Sequence, residues 1–200
     1  MSGLVTYHAK PDLKAAFLTE IGKHEAADAL LKGTYGRMNG RFRGCAIGCS
    51  LNSLNVLQGK DAMFETANHA RIPAELGWPL WLAYAEDNIF ENLPDDLSKT
   101  WPRRLAEAIP VGVTVPDTVL AKLLRWMLVD AEFGVVRCAD SEFKTKEAVL
   151  AIAALFDRTL GGEVVPESEW AARAAEAARA ARAAMAAEAA WAAEAAGAAA

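Results

Sequence analysis

The chain has 200 residues, 53% of them hydrophobic and 24% charged; 26 Asp and Glu against 21 Lys and Arg give a net charge of −5. That balance excludes a disordered acidic chain and a basic nucleic-acid arm, and the length suits one domain or one domain with an appendage. The hydrophobic share is uneven: 21 of the last 30 residues are alanine, and the first 170 are about 49% hydrophobic, near the globular norm.

Taken in chain order, the punctuation is helical. Pro11-Asp12 opens a helix expected to run to Lys32 and stop at Gly33, the usual residue just past a helix end. Gly33 to Gly44 reads as a glycine-rich loop. Cys45 to about Leu57 reads as a short helix closed by Gly59, and Ala62 to about Ala70 as another, broken by Pro73. A longer helix is expected from Ala74 to about Asn92, ended by Pro94, and a further one from Pro102 to just before Pro110. Pro116 starts Asp117–Asp130, which is apolar nearly all round and so reads as central. Ser141 to Leu160 ends at Gly161-Gly162, and Pro166 starts the tail helix. The β-like runs Gly112–Val115 and Gly134–Arg137 are too short for a sheet. The expected class is all-α: a compact multi-helix bundle over 1–165 and a long Ala-rich C-terminal helix over 166–200.

From Trp170 onward every third residue departs from alanine. A step of three residues covers about 300° of a helix, so these positions spiral round the axis instead of forming a stripe. Trp170, Met185 and Trp191 nonetheless fall within a sector of about 120°. The tail reads either as a solvated low-complexity helix or as a docking or self-association surface, since alanine permits close helix approach.

Charge in the body is segregated. Lys32, Arg37, Arg41 and Arg43 occur between Leu31 and Gly44 without an acid, while Glu86, Asp87, Glu91, Asp95 and Asp96 occur without a base. A net acidic chain with one basic loop argues against duplex nucleic acid as partner and leaves room for a small anionic ligand or nucleotide. Three cysteines, an odd number, and an opening without an apolar signal region point to a reducing, cytoplasmic setting. No long apolar run outside the alanine tail suggests a membrane span.

Four sets of residues are candidates for chemistry. On the expected first helix, His24 and Asp28 fall at about 20° and 60°, inside the stripe of Leu13, Phe17 and Ile21, as a histidine oriented by a carboxylate or as a satisfied structural pair. In the loop, Gly40 and Gly44 allow close backbone approach and Arg37, Arg41 and Arg43 suit phosphate or carboxylate, although no Gly-Lys-Ser/Thr makes it a P-loop. Cys45 and Cys49, spaced i, i+4, have three readings. A helix N-terminus beside Arg43 lowers the Cys45 thiol, with His24 or His69 as base; or both thiols join His24 and His69 around zinc; or both are small core residues. On the acidic helix Glu86 falls among apolar positions, where an arginine partner from the loop is expected, and Asp87 and Glu91 share the flank near Tyr84 as a structural pair or a divalent-cation site. Trp78, Trp81, Trp101 and Trp126 read as core or docking anchors, and His8 as part of a mobile end without a role.

Gly33-Thr-Tyr-Gly36, Arg43-Gly-Cys-Ala-Ile-Gly-Cys49, Ile72-Pro73, Trp81-Leu-Ala-Tyr-Ala-Glu-Asp-Asn-Ile-Phe-Glu91 and the Trp-Ala-Ala-Arg-Ala-Ala tail together resemble a group of uncharacterised helical proteins of bacteria and their phages. The resemblance implies that loop, cysteine turn and acidic turn belong to one design; it implies no catalytic role.

The first functional reading is therefore a non-enzymatic intracellular binding protein, suited to a phage or mobile-element accessory role. Its Gly/Arg loop meets an anionic ligand or acidic partner surface, and its tail contacts protein. The alternative is a hydrolase or transferase that uses Cys45, or a metal held by His24, Cys45, Cys49 and His69. A purely structural helical module is the third.

Overall fold

The computed structural model describes residues 4–139 and 142–198, with side chains of the last helix to residue 187. The protein is predominantly α-helical, with nine α-helices and one two-stranded sheet among these residues. The chain forms two compact units, Met1–Val115 and Pro116–Ala200, so the expected boundary at 165/166 falls inside the second. No helix among the described residues is long and apolar enough to cross a membrane.

The first unit is built round α2 (Ala46–Leu57), of which Ala46 through Asn55 are all buried. It is packed by α1 (Pro11–Ala26), α4 (Leu80–Asn92) and α6 (Trp101–Ala108). Short helices α3 (Arg71–Leu76) and α5 (Asp95–Ser98) complete this unit. Burying a helix on all sides is unusual for one carrying Ser50, Asn52, Ser53 and Asn55, because each buried polar group must find a partner. Each does. Ser50 donates to Glu86, Ser53 to the Cys49 carbonyl, Asn52 to the Ala62 carbonyl, and Asn55 to the Phe64 carbonyl while accepting from Arg71.

Those bonds explain one difference from the sequence reading. Residues 62–70 form successive turns instead of a helix, because side chains of α2 and Arg71 take carbonyls a helix would have used internally. Nor is there one helix over 74–92. The chain breaks at Gly77-Trp78-Pro79, where Gly77 has φ +65 and lies so close to the Val5 carbonyl that a Cβ would sit 2.0 Å from it. Trp78 is thereby turned fully into the core, edge-on to Tyr7 and Phe17 at 5.7 and 6.0 Å. The N-terminal segment is likewise anchored: Tyr7 is buried with its hydroxyl donating to the Ala106 carbonyl, and His8 bonds the Ala74 carbonyl.

Helix α1 ends at Ala26, six residues before the expected stop, and Asp28 turns at φ +48. The expected glycine loop contains a hairpin, β1 (Arg37–Asn39) paired antiparallel with β2 (Arg41–Arg43), turning at Gly40 with φ +73. Gly44 forms a bridge to Leu30, and the Cys45 amide donates to the Thr34 carbonyl, so both ends of the loop are tied to the core. Gly48 is required here, since a Cβ on it would lie 1.8 Å from the Tyr35 carbonyl oxygen.

In the second unit, α7 (Asp117–Val129), α8 (Thr145–Leu160) and α9 (Glu167–Ala198) pack in sequence, α7 on α8 and α8 on α9. Helix α7 is not the central helix its composition suggests: Ala121 is its one buried residue. Trp170 of α9 packs on Phe156 of α8 at 4.8 Å, and Arg158 joins Glu163 to Glu169 across the turn between them. Met185 is 69% exposed, and the side chain of Trp191 lies outside the described residues.

Candidate functional site

The structure separates the residues that the sequence put together. Asp28 has left the helix and stands exposed, paired with Lys99 at 2.8 Å and, at 4.0 Å, with Arg43. The Lys99 ammonium beside it, with lesser help from Arg43, holds its carboxyl below the usual carboxylate range. His24 is therefore not oriented by Asp28; its ring lies edge-on to Phe42 at 5.8 Å, and burial lowers its basicity more than the nearby Glu20 and Asn52 raise it. Cys49 is enclosed, its thiol donating to the Gly44 carbonyl at 3.4 Å. The four residues His24, Cys45, Cys49 and His69 do not form a common ligand set among the described residues.

A different set does converge. Cys45 is the N-cap of α2, its sulfur accepting from the Gly48 amide at 3.4 Å. Asp87 and Glu91 lie one turn apart on α4, as their i, i+4 spacing requires. Donor atoms of Cys45, Asp87 and Glu91 all lie within 4.8 Å of one another, at a cavity of about 280 Å³ also lined by Gly33, Thr34 and Tyr35. The Gly33 amide bridges both carboxylate oxygens of Glu91 at 3.1 and 3.0 Å, fixing that side chain.

His69 completes the cluster from the turn region ahead of α3. Its Nε2 meets Asp87 Oδ2 at 3.2 Å. The ring is only 8% exposed, stacked on Tyr84 at 4.7 Å and 17° and edge-on to Tyr35 at 5.5 Å. The other oxygen of Asp87, Oδ1, is shut off from solvent without a well-formed hydrogen bond among the described residues, with the Tyr35 hydroxyl and the Cys45 thiol close to that carboxylate.

Electrostatically the cleft is acidic. Burial pushes the Cys45 thiol well above the usual thiol range; the Gly48 amide offsets part of this, and the neighbouring Asp87 adds to it. Arg43, expected beside Cys45 as an activating cation, turns away to donate to the Asp28 carbonyl at 3.0 Å. Tyr35 is held above its ordinary range, chiefly by the charge of Asp87.

Glu86, next to Asp87, points the other way. It is fully buried and bonded to Ser50 instead of the expected arginine, and desolvation pushes its carboxyl up to about 8. The basic loop does meet the acidic helix, though not through its arginines: Gly33 bonds Glu91 on α4, while Lys32 bonds Asp95 on α5 at 2.9 Å.

Arg37, Met38, Asn39, Gly40 and Arg41 form the exposed hairpin. Arg43 and the buried Gly44 lie at its base, with Arg43, Lys32, Lys99, Asp28 and Asp95 round a cavity of about 350 Å³. Tyr35, Gly33 and Ser50 escaped the sequence reading as site residues; the Asp87–Glu91 spacing was the one signal that pointed to the cleft. No protein family, curated protein or solved structure matches this chain.

Proposed function

We propose that the protein is a binding protein that uses the Arg37–Arg43 hairpin to engage an acidic protein surface. The observation that carries this reading is the state of Arg37 and Arg41. Both are exposed on a firmly anchored hairpin, Arg41 next to the Gly40 turn and Arg37 across from Arg43, and neither has an ion pair among the described residues. Arg43 and Lys32, by contrast, have their charge answered by Asp28 and Asp95. A small anion would need a concave cradle of free cations, whereas the cavity at Arg43 is already lined by those two carboxylates. Arg37 and Arg41 lie on the same face of the hairpin, opposite Met38 and Phe42, and two unpaired guanidinium groups on one face suit a broad acidic surface. Opposition from the overall charge of −5 disfavours duplex DNA.

Fluorescence anisotropy with labelled poly-glutamate tests this. Binding is expected to weaken with salt and to fall roughly fivefold or more in the Arg37→Ala/Arg41→Ala variant. Lys10→Ala, which removes an exposed cation elsewhere, is expected to leave it unchanged. Equal binding by parent and double variant, or stronger binding to a labelled DNA duplex, overturns the reading.

A further inference from the structure

We infer that Cys45, Asp87 and Glu91 are the protein ligands of a divalent metal of the zinc class, with His69 as the outer partner that holds Asp87. The site differs from the ligand set suggested by the cysteine spacing, and it is independent of the hairpin.

The donor set suits a borderline metal. One sulfur and two carboxylates match the ligand types zinc takes, and three protein ligands beside a cavity leave a fourth position open. On a tetrahedral zinc, ligand atoms stand about 3.3–3.8 Å apart, so donors now within 4.8 Å need to close by about an ångström. Side-chain movement of Asp87 and Glu91 supplies that closure, and it exchanges one of the two bonds that Glu91 accepts from the Gly33 amide for a bond to the metal.

A second observation points to a cation. Two carboxylates face one cavity, and no lysine or arginine lines it. Among the described residues Asp87 Oδ1 is shut off from solvent without a well-formed hydrogen bond, and the donors that stand near Asp87, the Tyr35 hydroxyl and the Cys45 thiol, are neutral, so a positive group there answers a charge that they do not. Asp87 Oδ2 is meanwhile held by His69, in the same pairing of imidazole and carboxylate that orients ligands around bound metals, here with the carboxylate on the metal side. The aromatic rings of Tyr84 and Tyr35 fix the imidazole in that position.

Binding involves one proton balance. The Cys45 S–H bond breaks, its electron pair forms the sulfur–metal bond, and the proton leaves to solvent. Neither the metal nor the protein changes oxidation state.

The full chain, stripped with chelator, is titrated with Co²⁺, whose absorption reports its ligands, and then with Zn²⁺ in competition. One equivalent is expected to bind with a thiolate-to-cobalt charge-transfer band, and Zn²⁺ to displace it. Cys45→Ser is expected to abolish the band, and Asp87→Asn and Glu91→Gln to weaken binding more than tenfold. His69→Gln is expected to weaken it roughly 10–100-fold while keeping the band, as an outer partner should. Cys49→Ala is expected to keep both band and affinity. Circular dichroism confirms that each variant is folded, and Cys49→Ala, which trims a buried core position next to Cys45 and removes no ligand atom, controls for instability near α2. Absence of stoichiometric binding, a band that survives Cys45→Ser, or a band lost in Cys49→Ala overturns the assignment.

Discussion

The Ser50 hydroxyl donates to Glu86 Oε1 at 2.8 Å inside the core; among the described residues it is the one hydrogen bond that the Glu86 carboxyl makes, its Oε2 being buried without a partner. Desolvation is the main reason the carboxyl is raised to about 8; Ser50 opposes it and the charge of Asp87 adds to it. In the unfolded chain the group titrates near its ordinary value of 4.5. Between about 4.5 and 8 the folded state therefore holds a proton that the unfolded state has released. Stability from this group is complete below that window and declines as pH rises through it, on the order of 1 kcal/mol per pH unit. Denaturant titrations across the window are expected to show that decline in the parent protein, and a flatter profile in Glu86→Gln, which keeps an acceptor for Ser50. Parallel profiles would mean that Glu86 is not the titrating group.

Two glycine substitutions are expected to act in opposite directions. Gly48→Ala would place a methyl 1.8 Å from the Tyr35 carbonyl oxygen, a backbone atom that must move, and is expected to cost about 1–3 kcal/mol. Gly22 lies within α1, and a methyl added there would meet nothing within 4 Å, so Gly22→Ala is expected to add roughly 0.5–1 kcal/mol through helix propensity. Thermal melts of the two variants check both signs.

Arg71 is the clasp between α2 and the 60–70 segment. Its guanidinium donates to Glu75, to the Phe64 carbonyl and to Asn55 Oδ1, all within 2.7–2.8 Å. A lysine cannot reproduce that fork. Arg71→Lys is expected to destabilise by on the order of 2–4 kcal/mol and to expose the 60–70 segment to limited proteolysis.

Thiol labelling at neutral pH separates the three cysteines. Cys138 is exposed, whereas burial pushes Cys45 and Cys49 upward, Cys49 to about 12. In the folded protein without metal, alkylation is expected to be fast at Cys138 alone, and Cys138→Ser is expected to remove the fast phase. Fast labelling of Cys45 would instead show an activated nucleophile.

Much of the helical layout follows from local chemistry that a sequence displays openly. Proline at the starts of α1 and α7, glycine after α8, and proline after α4 act on the backbone within a residue or two, so those boundaries are legible without any tertiary information. The hairpin was not legible, because two three-residue strands rich in arginine carry no alternation long enough to read; Phe42, buried beneath Gly36 and Gly44, sets it. Asp28 looked like a core residue only while α1 was continued past Ala26.

By itself the sequence determined an all-α chain, an alanine-rich final helix and the shared face of Asp87 and Glu91, since each depends on neighbours a few residues away. Tertiary structure alone decided that Cys45 meets those carboxylates, that His69 holds Asp87 and that Glu86 turns inward to Ser50. The physical reason is distance along the chain. Cys45, His69 and Asp87 come from three separate segments, and only the packing of α2 against α4, with the loop drawn in by Gly48, brings them to one cleft.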